Sequence, residues 1–220
     1  MSSVDKVLRE IAEAVVNLDV DGALEASKRA LSMGVDPVDI VERGVSEGLR
    51  VVGDKFERGE FFLMHLIIAA EAAKRVMEEV VEPVLLGRRS GKRLGVVVIG
   101  TVEGDIHDIG KSVVATMLKA AGFEVHDLGC DVPVDEFVKK VKEVNADIVA
   151  ASALLSTTMR VQRDLVRALE EAGMRGRVKV LVGGAPVTRE WAEEIGADGY
   201  AENAVEAVRE AKRLLGIDVG

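Results

Sequence analysis

"LGVVVIGTVEGDIHDIGKS", residues 94–112, decides the fold. The apolar run at 94–99 reads as a strand buried on both faces, the kind a parallel sheet requires. A glycine-bearing loop follows it, and then an apolar-periodic helix predicted over 110–121. Strand, glycine loop and a helix opening on Gly110-Lys111-Ser112 share the outline of a phosphate-binding P-loop. The loop's own residues argue against phosphate. A P-loop has four residues between its glycines, whereas five separate Gly104 from Gly110, and Asp105 stands in place of the first glycine. Glu103, Asp105 and Asp108 would repel a polyphosphate, and a side chain at 105 would block close backbone approach. What remains is His107 between two aspartates at a strand's carboxyl end.

Working outward, the second half alternates regularly. Strands are predicted at 94–99, 124–129, 147–152, 178–183 and 198–201, with helices at 110–121, 134–144, 158–172, 188–195 and 203–215. Such alternation implies an α/β fold, a doubly wound parallel sheet with helices on both faces. Five strands favour the flavodoxin-like order 2-1-3-4-5, which binds ligands at the carboxyl ends near the first and third strands. That edge collects Asp105, His107 and Gly110 from one loop, Ser152, Ser156, Thr157 and Thr158 from another, and Gly183 and Gly184 from a third. A phospho-receiver would need an acceptor aspartate after the third strand, where this chain has Ser152. A zinc site would want three or four ligands, and only Asp105, His107 and Asp108 are near one another. A metal that arrives already chelated would need one axial ligand, and here there is one histidine.

The first half reads as helices alone. Ser3 can cap a helix with the stripe Val4, Val7, Leu8, Ile11, Val15 and Leu18. A second helix spans about 21–33 and stops at Gly34. Asp36-Pro37 opens a third that reaches about Phe56, and a fourth covers about 62–81. Short connections between four helices suggest an antiparallel bundle over 1–82. The stretch 83–93, "PVLLGRRSGKR", has linker composition, and 94–220 forms the α/β domain.

Composition narrows the function classes. Across 220 residues, 48% are apolar and 30% charged, enough for one large domain or two small ones. A formal net charge of −9 argues against a nucleic-acid partner, since such proteins use basic surface to displace counterions. The start "MSSVDKVLRE" lacks the apolar core of a signal peptide, and no apolar run is long enough to span a membrane. With Cys130 as the single cysteine no intramolecular disulfide can form, which fits a reducing cytoplasm.

"Asp105-Ile106-His107-Asp108-Ile109-Gly110" resembles the D-x-H-x-x-G signature of cobalamin-binding domains. The S-x-L of that family is matched at Ser152-Ala153-Leu154 and its Gly-Gly at Gly183-Gly184, with similar spacing. The first half resembles the four-helix cap of methionine synthase and of corrinoid proteins from methanol, methylamine and methoxyaromatic methyltransferase systems, most tellingly in "GEFFLMHLIIAAEAAKRVM". The resemblance covers nearly the whole chain, and implies a helical bundle cap followed by a Rossmann-like cobalamin domain.

The resemblance also implies roles. The cofactor would be cobalamin, as methylcobalamin or a related corrinoid, bound base-off with His107 as the cobalt ligand. Asp105 would accept the other imidazole N–H and Thr158 would extend this relay; Ser152 would bond the displaced base. Asp108, Leu154 and Thr157 would line the same site. Gly110, Gly183 and Gly184 would leave a slot for the nucleotide tail. Phe62, Leu66 and Ala69 would contribute the cap, with Met64 where the family often has Pro, and His65 as a further candidate. Set beside these are plainer readings. Asp108 suits a helix N-terminus, Ser156 and Thr157 suit capping hydroxyls, and Gly183-Gly184 suits a turn. His126 reads as structural, Lys111 and Ser112 as the start of a helix, and Cys130 as a buried small residue.

The implied function is a methyl carrier. It would take a methyl group on cobalt from a substrate-specific methyltransferase and pass it to a second, acting on a thiol or pterin. It would be a component of an enzyme system, with a reductive activation protein among the partners and a homodimer open. The alternatives are a cobalamin storage or regulatory protein and the small subunit of an adenosylcobalamin mutase. Mutase subunits typically lack a cap, and regulators often add a DNA-binding segment.

Overall fold

The computed structural model describes residues 3–87 and 94–217. The chain divides into two compact units, Met1–Gly87 and Arg88–Gly220. The linker reading at 88–93 lies outside the described residues.

The first unit is four helical rods. Ser3–Val16 buries Val7, Leu8, Ile11 and Val15, as its stripe predicts, while Ser3 is the first helical residue and not a cap. The chain turns at Leu18, with φ of 61°, and Asp19 caps Val20–Ser32 by accepting from the Gly22 N–H at 2.9 Å. Asp36 caps the third rod through the Val38 N–H at 2.9 Å, with Pro37 at its first position. That rod runs 37–57 but is π-helical over Ile40–Val45. Glycine lets it approach the first helix closely, since a Cβ at Gly48 would lie 2.7 Å from Val15 Cβ and 2.8 Å from the Ala12 carbonyl.

The fourth rod, 63–87, departs from the sequence reading. It is helical over Leu63–Val76, π-helical over Met77–Val81 and helical again over Glu82–Gly87. Residues 83–87 therefore belong to a helix and not to a linker. A proline lacks the N–H of a regular turn, and its ring collides with the carbonyl four residues back. The π turn just before Pro83 shifts the bonding to five residues, as in Glu82 N–H to the Met77 carbonyl, and lets the helix pass through.

The second unit is a parallel sheet in the order β2-β1-β3-β4-β5. Its strands are β1 (Val96–Thr101), β2 (Glu124–Asp127), β3 (Ile148–Ser152), β4 (Lys179–Gly183) and β5 (Gly199–Ala201). Every residue of β1 is buried, as its apolar run requires. One face packs Val98, Phe137, Val149, Leu165 and Val180 into a core; the other packs Val97, Ile99, Leu118, Ile148 and Leu181. Register fixes the site: Thr101, Ser152, Gly183 and Ala201 form one row across β1, β3, β4 and β5. The loops after these strands thus leave from one edge.

Candidate functional site

At this edge the chain leaves β1, turns through 102–108 and enters the helix Ile109–Ala121. The turn is bolted down from within. Buried Thr101 donates its hydroxyl hydrogen to the His107 carbonyl at 2.8 Å. Asp105 is fully buried and both its oxygens are occupied. Oδ1 lies 2.6 Å from His107 Nδ1 and accepts the His107 N–H at 3.2 Å. Oδ2 accepts from the N–H groups of Leu154 and Leu155 at 2.7 and 3.2 Å and from the Thr158 hydroxyl at 2.8 Å.

These contacts set the charge. Burial pushes the Asp105 carboxyl up, but the bonds from His107, Leu154 and Thr158 outweigh it and hold it down at about 2. Asp105 is a carboxylate at neutral pH, so Nδ1 of a neutral His107 carries the hydrogen and Nε2 the free lone pair. The His107 side chain is 47% exposed. On the same loops apolar side chains face water: Ile106, next to His107 in the chain, is 75% exposed, and Leu154 and Leu155, whose N–H groups bond Asp105, are 41% and 42%. An oriented imidazole amid exposed apolar groups could ligate a metal carried in a large apolar ring. Among the described residues no group of three or more His, Cys, Asp or Glu could hold a bare ion.

The glycines fall into two kinds. At Gly110 a Cβ would meet nothing within 4 Å, so the protein's own packing does not exclude a side chain there. At Gly184, with φ of 124°, a Cβ would lie 1.9 Å from the Ala153 carbonyl oxygen, and at Gly183 2.9 Å from that of Ala201. Gly184 permits the loops after β3 and β4 to approach one another, and Gly183 the paired ends of β4 and β5, a reason the sequence reading did not contain. Gly110 is the one that leaves open space.

The structure joins Asp105, His107 and Thr158 directly and aligns Ser152 with Gly183. Thr158 precedes the helix Met159–Glu171 but its hydroxyl goes to Asp105 and the Leu155 carbonyl instead of capping it. Ser156 and Thr157 are exposed on the same loop. Asp108 makes no side-chain cap; it pairs with Lys111 at 2.6 Å. Phe62, Leu66 and Ala69 lie in the first unit. There Phe62 is 67% exposed, Leu66 half-buried and Ala69 in the buried set at 1%. His65 Nδ1 accepts the Phe62 N–H at 3.0 Å, tying the start of that helix, and its ring stacks on Phe61.

Two sequence readings need correction. Cys130 is exposed, because it sits in a surface turn between Gly129 and Asp131, both at positive φ. Lys111 does more than begin a helix: its side chain is 2% exposed and its Nζ lies 2.6–2.7 Å from both oxygens of Asp127 as well as from Asp108. The i, i+3 spacing of Asp108 and Lys111 was the available signal. The Leu154 and Leu155 N–H donors had none, since backbone groups leave no mark in the sequence.

A family model described as a B12 binding domain matches residues 95–209, and a second of the same description matches 7–80. Dimethylamine corrinoid protein 2 of Methanosarcina acetivorans is 51% identical, over 98% of this chain and 99% of its own. The structure of the Methanosarcina barkeri monomethylamine corrinoid protein superposes with a TM-score of 0.85 at 41% identity, covering 93% of this chain and 96% of that one. The methanol:cobalamin methyltransferase complex of the same organism matches with a TM-score of 0.54 at 30% identity, over 96% of this chain and 80% of that one.

Proposed function

The chain belongs to the B12-binding corrinoid proteins of methyltransferase systems, and on that premise we propose that it carries methyl groups taken from a methylamine, with His107 as the protein ligand to cobalt. The bound corrinoid supplies a metal that can accept and release a methyl group; the protein orients and tunes it. Nε2 of His107 would hold the cobalt in place of the cofactor's own base. Asp105, held ionised by Leu154, Leu155 and Thr158, fixes the tautomer and raises the basicity of the imidazole. Ile106, Leu154 and Leu155 would meet the apolar underside of the ring, and the space at Gly110 would admit part of the nucleotide tail.

The observation that carries this reading is the pairing of a fully buried, multiply bonded carboxylate with a half-exposed imidazole. A histidine serving only the fold would have no need of such a partner on one nitrogen and water on the other. The dimethylamine and monomethylamine names of the relatives support the donor class. A methylamine-specific methyltransferase would deliver the methyl group, and a second one, with a thiol or pterin acceptor, would remove it. A reductive activation protein and a homodimer belong to the same proposal, as does a cytoplasmic location, with Cys130 the single thiol. Among the described residues no helix is long and apolar enough to cross a membrane.

The test is spectroscopic. Protein loaded with hydroxocobalamin and reduced to cobalt(II) should show superhyperfine splitting from one protein nitrogen, changing from triplet to doublet with ¹⁵N-histidine. His107→Ala should abolish the doublet. A triplet that persists in labelled wild type would mean the cofactor's own base stays bound. Methyl transfer between methylamine and an added acceptor system separates carrier from storage protein.

A further inference from the structure

Burying an ammonium costs several kcal/mol unless close partners offset it, and among the described residues Lys111 is the one lysine in the buried set. Its partners are not arbitrary. One is Asp108, the residue directly after His107; the other is Asp127, the last residue of β2. Asp127 Oδ1 also accepts the Gly129 N–H at 2.9 Å, and the Gly129 carbonyl accepts the Thr101 N–H at 2.9 Å. At the other end of the loop, Asp131 Oδ1 accepts the Gly104 N–H at 2.7 Å, and the Asp131 N–H donates to the Asp105 carbonyl at 2.9 Å. The segment 127–131 therefore grips the 104–108 loop at both ends. Lys111 is the grip on the histidine side.

We infer that Lys111 is a positioning residue for the cobalt ligand, locking the His107 loop to the end of β2 through the Asp108–Lys111–Asp127 bridge; this rests on the reading of His107 as that ligand. Ion pairs sequestered from water are weak evidence for added stability, because their desolvation offsets their attraction. Their better use is to fix one geometry. Asp105 controls the imidazole's proton and Thr101 its carbonyl, but neither holds the chain after His107. Asp108 is the first residue there, and without its bridge that backbone would have only the helix start to hold it. Burial pulls the Lys111 ammonium's pKa down, and the bonds to Asp108 and Asp127 outweigh it and raise it, so Lys111 keeps its proton at neutral pH.

Asp108→Asn gives the cleanest cut, since the Asp108 side chain is 52% exposed and its loss leaves the Lys111–Asp127 pair in place. Full-length protein would be loaded with hydroxocobalamin and reduced to cobalt(II), wild type and variant alike carrying ¹⁵N-histidine. The expected result is corrinoid affinity lowered about tenfold, the size typical of outer-shell losses. Part of the protein-nitrogen doublet should give way to the cofactor's own-base triplet, with the thermal melt unchanged. Asp108→Glu should restore the doublet. Asp127→Asn cuts the other arm and should lower ligation in the same sense. A doublet and affinity equal to wild type in both Asn variants would overturn the inference, whether or not their melts fall, because a purely structural bridge predicts that pattern. Absence of the doublet in wild type would instead remove the His107 reading itself.

Discussion

Both ends of the parallel sheet set aspartates against backbone N–H groups, and the candidate site lies at one of them. At the amino edge Asp147 accepts the Val96 N–H at 2.8 Å and Asp198 the Val180 N–H at 2.7 Å. Each bridges to a neighbouring strand, and Asp198 also binds Arg175. At the carboxyl edge Asp105 accepts backbone N–H groups in the same manner. The difference lies in the side-chain partners. Besides these bonds Asp198 holds Arg175 and Lys179, whereas Asp105 holds the Thr158 hydroxyl and an imidazole that faces water. A carboxylate held by backbone N–H groups thus points to a candidate site when it also holds a group that still faces water.

The largest effect should come where the carboxyl edge is tightest. In Gly184→Ala the new Cβ would meet three backbone atoms of Ala153 within 3 Å, at a φ of 124° that side chains rarely adopt. Backbone atoms cannot swing aside. Strain and overpacking together should cost more than about 3 kcal/mol, read as a shift in the denaturant midpoint. A midpoint within experimental error of wild type would show that the β3 and β4 loops are not held against each other, and the carboxyl edge would lose its rigidity in this comparison.

Next comes the aspartate pair itself. Asp105→Asn removes the charged acceptor of His107 and should weaken corrinoid binding about 10–100-fold, measured by titration of apoprotein with hydroxocobalamin. Asp198→Asn should leave that affinity alone and cost about 1.5 kcal/mol of stability. Burial pushes the Asp198 carboxyl up, and Arg175, the Val180 N–H and Lys179 pull it below its ordinary 3.8. A lowered native value means its contribution is complete above the ordinary value and fades as pH falls through the lowered one. Wild type and Asp198→Asn should therefore differ most near neutral pH and converge in acid. Equal losses of corrinoid affinity in the two variants would erase the distinction between the edges.

Much of the fold and the candidates at the carboxyl edge were legible beforehand. The run at 94–99 could only be a strand buried on both faces, and β-α alternation with five strands led to the observed order. His107, Asp105 and Thr158 were readable because their spacing within and between loops matched a known pattern. What was not legible has physical causes. The π turns at Ile40–Val45 and Met77–Val81 are a matter of backbone hydrogen bonding, which leaves no mark in the residue types, so the stretch from Pro83 read as linker. Lys111 read only as the start of a helix because a lysine's burial depends on carboxylates brought by other elements, here Asp127 from β2. Cys130 looked buried because its residue type favours the interior, while the turn that exposes it is set by the conformations of Gly129 and Asp131.

The smallest change in stability should come from Gly110→Ala, and it divides the glycines most sharply. Gly110 is the second residue of the helix Ile109–Ala121 and has open space where its Cβ would be. Replacing a glycine by alanine at a compatible helical position restricts the unfolded chain and stabilises by about 0.4–1 kcal/mol. The fold should therefore be unharmed or slightly firmer. If that space receives part of the corrinoid, the same methyl group should weaken hydroxocobalamin binding by roughly tenfold, the cost of about 1.4 kcal/mol of steric conflict. Gly184→Ala would then lose stability because protein fills its space, and Gly110→Ala would lose only the ligand because protein does not. Wild-type affinity in a well-folded Gly110→Ala protein would mean that the space stays clear of the cofactor. The nucleotide tail would then have to enter elsewhere along the edge, and Gly110 would be only the opening turn of a helix.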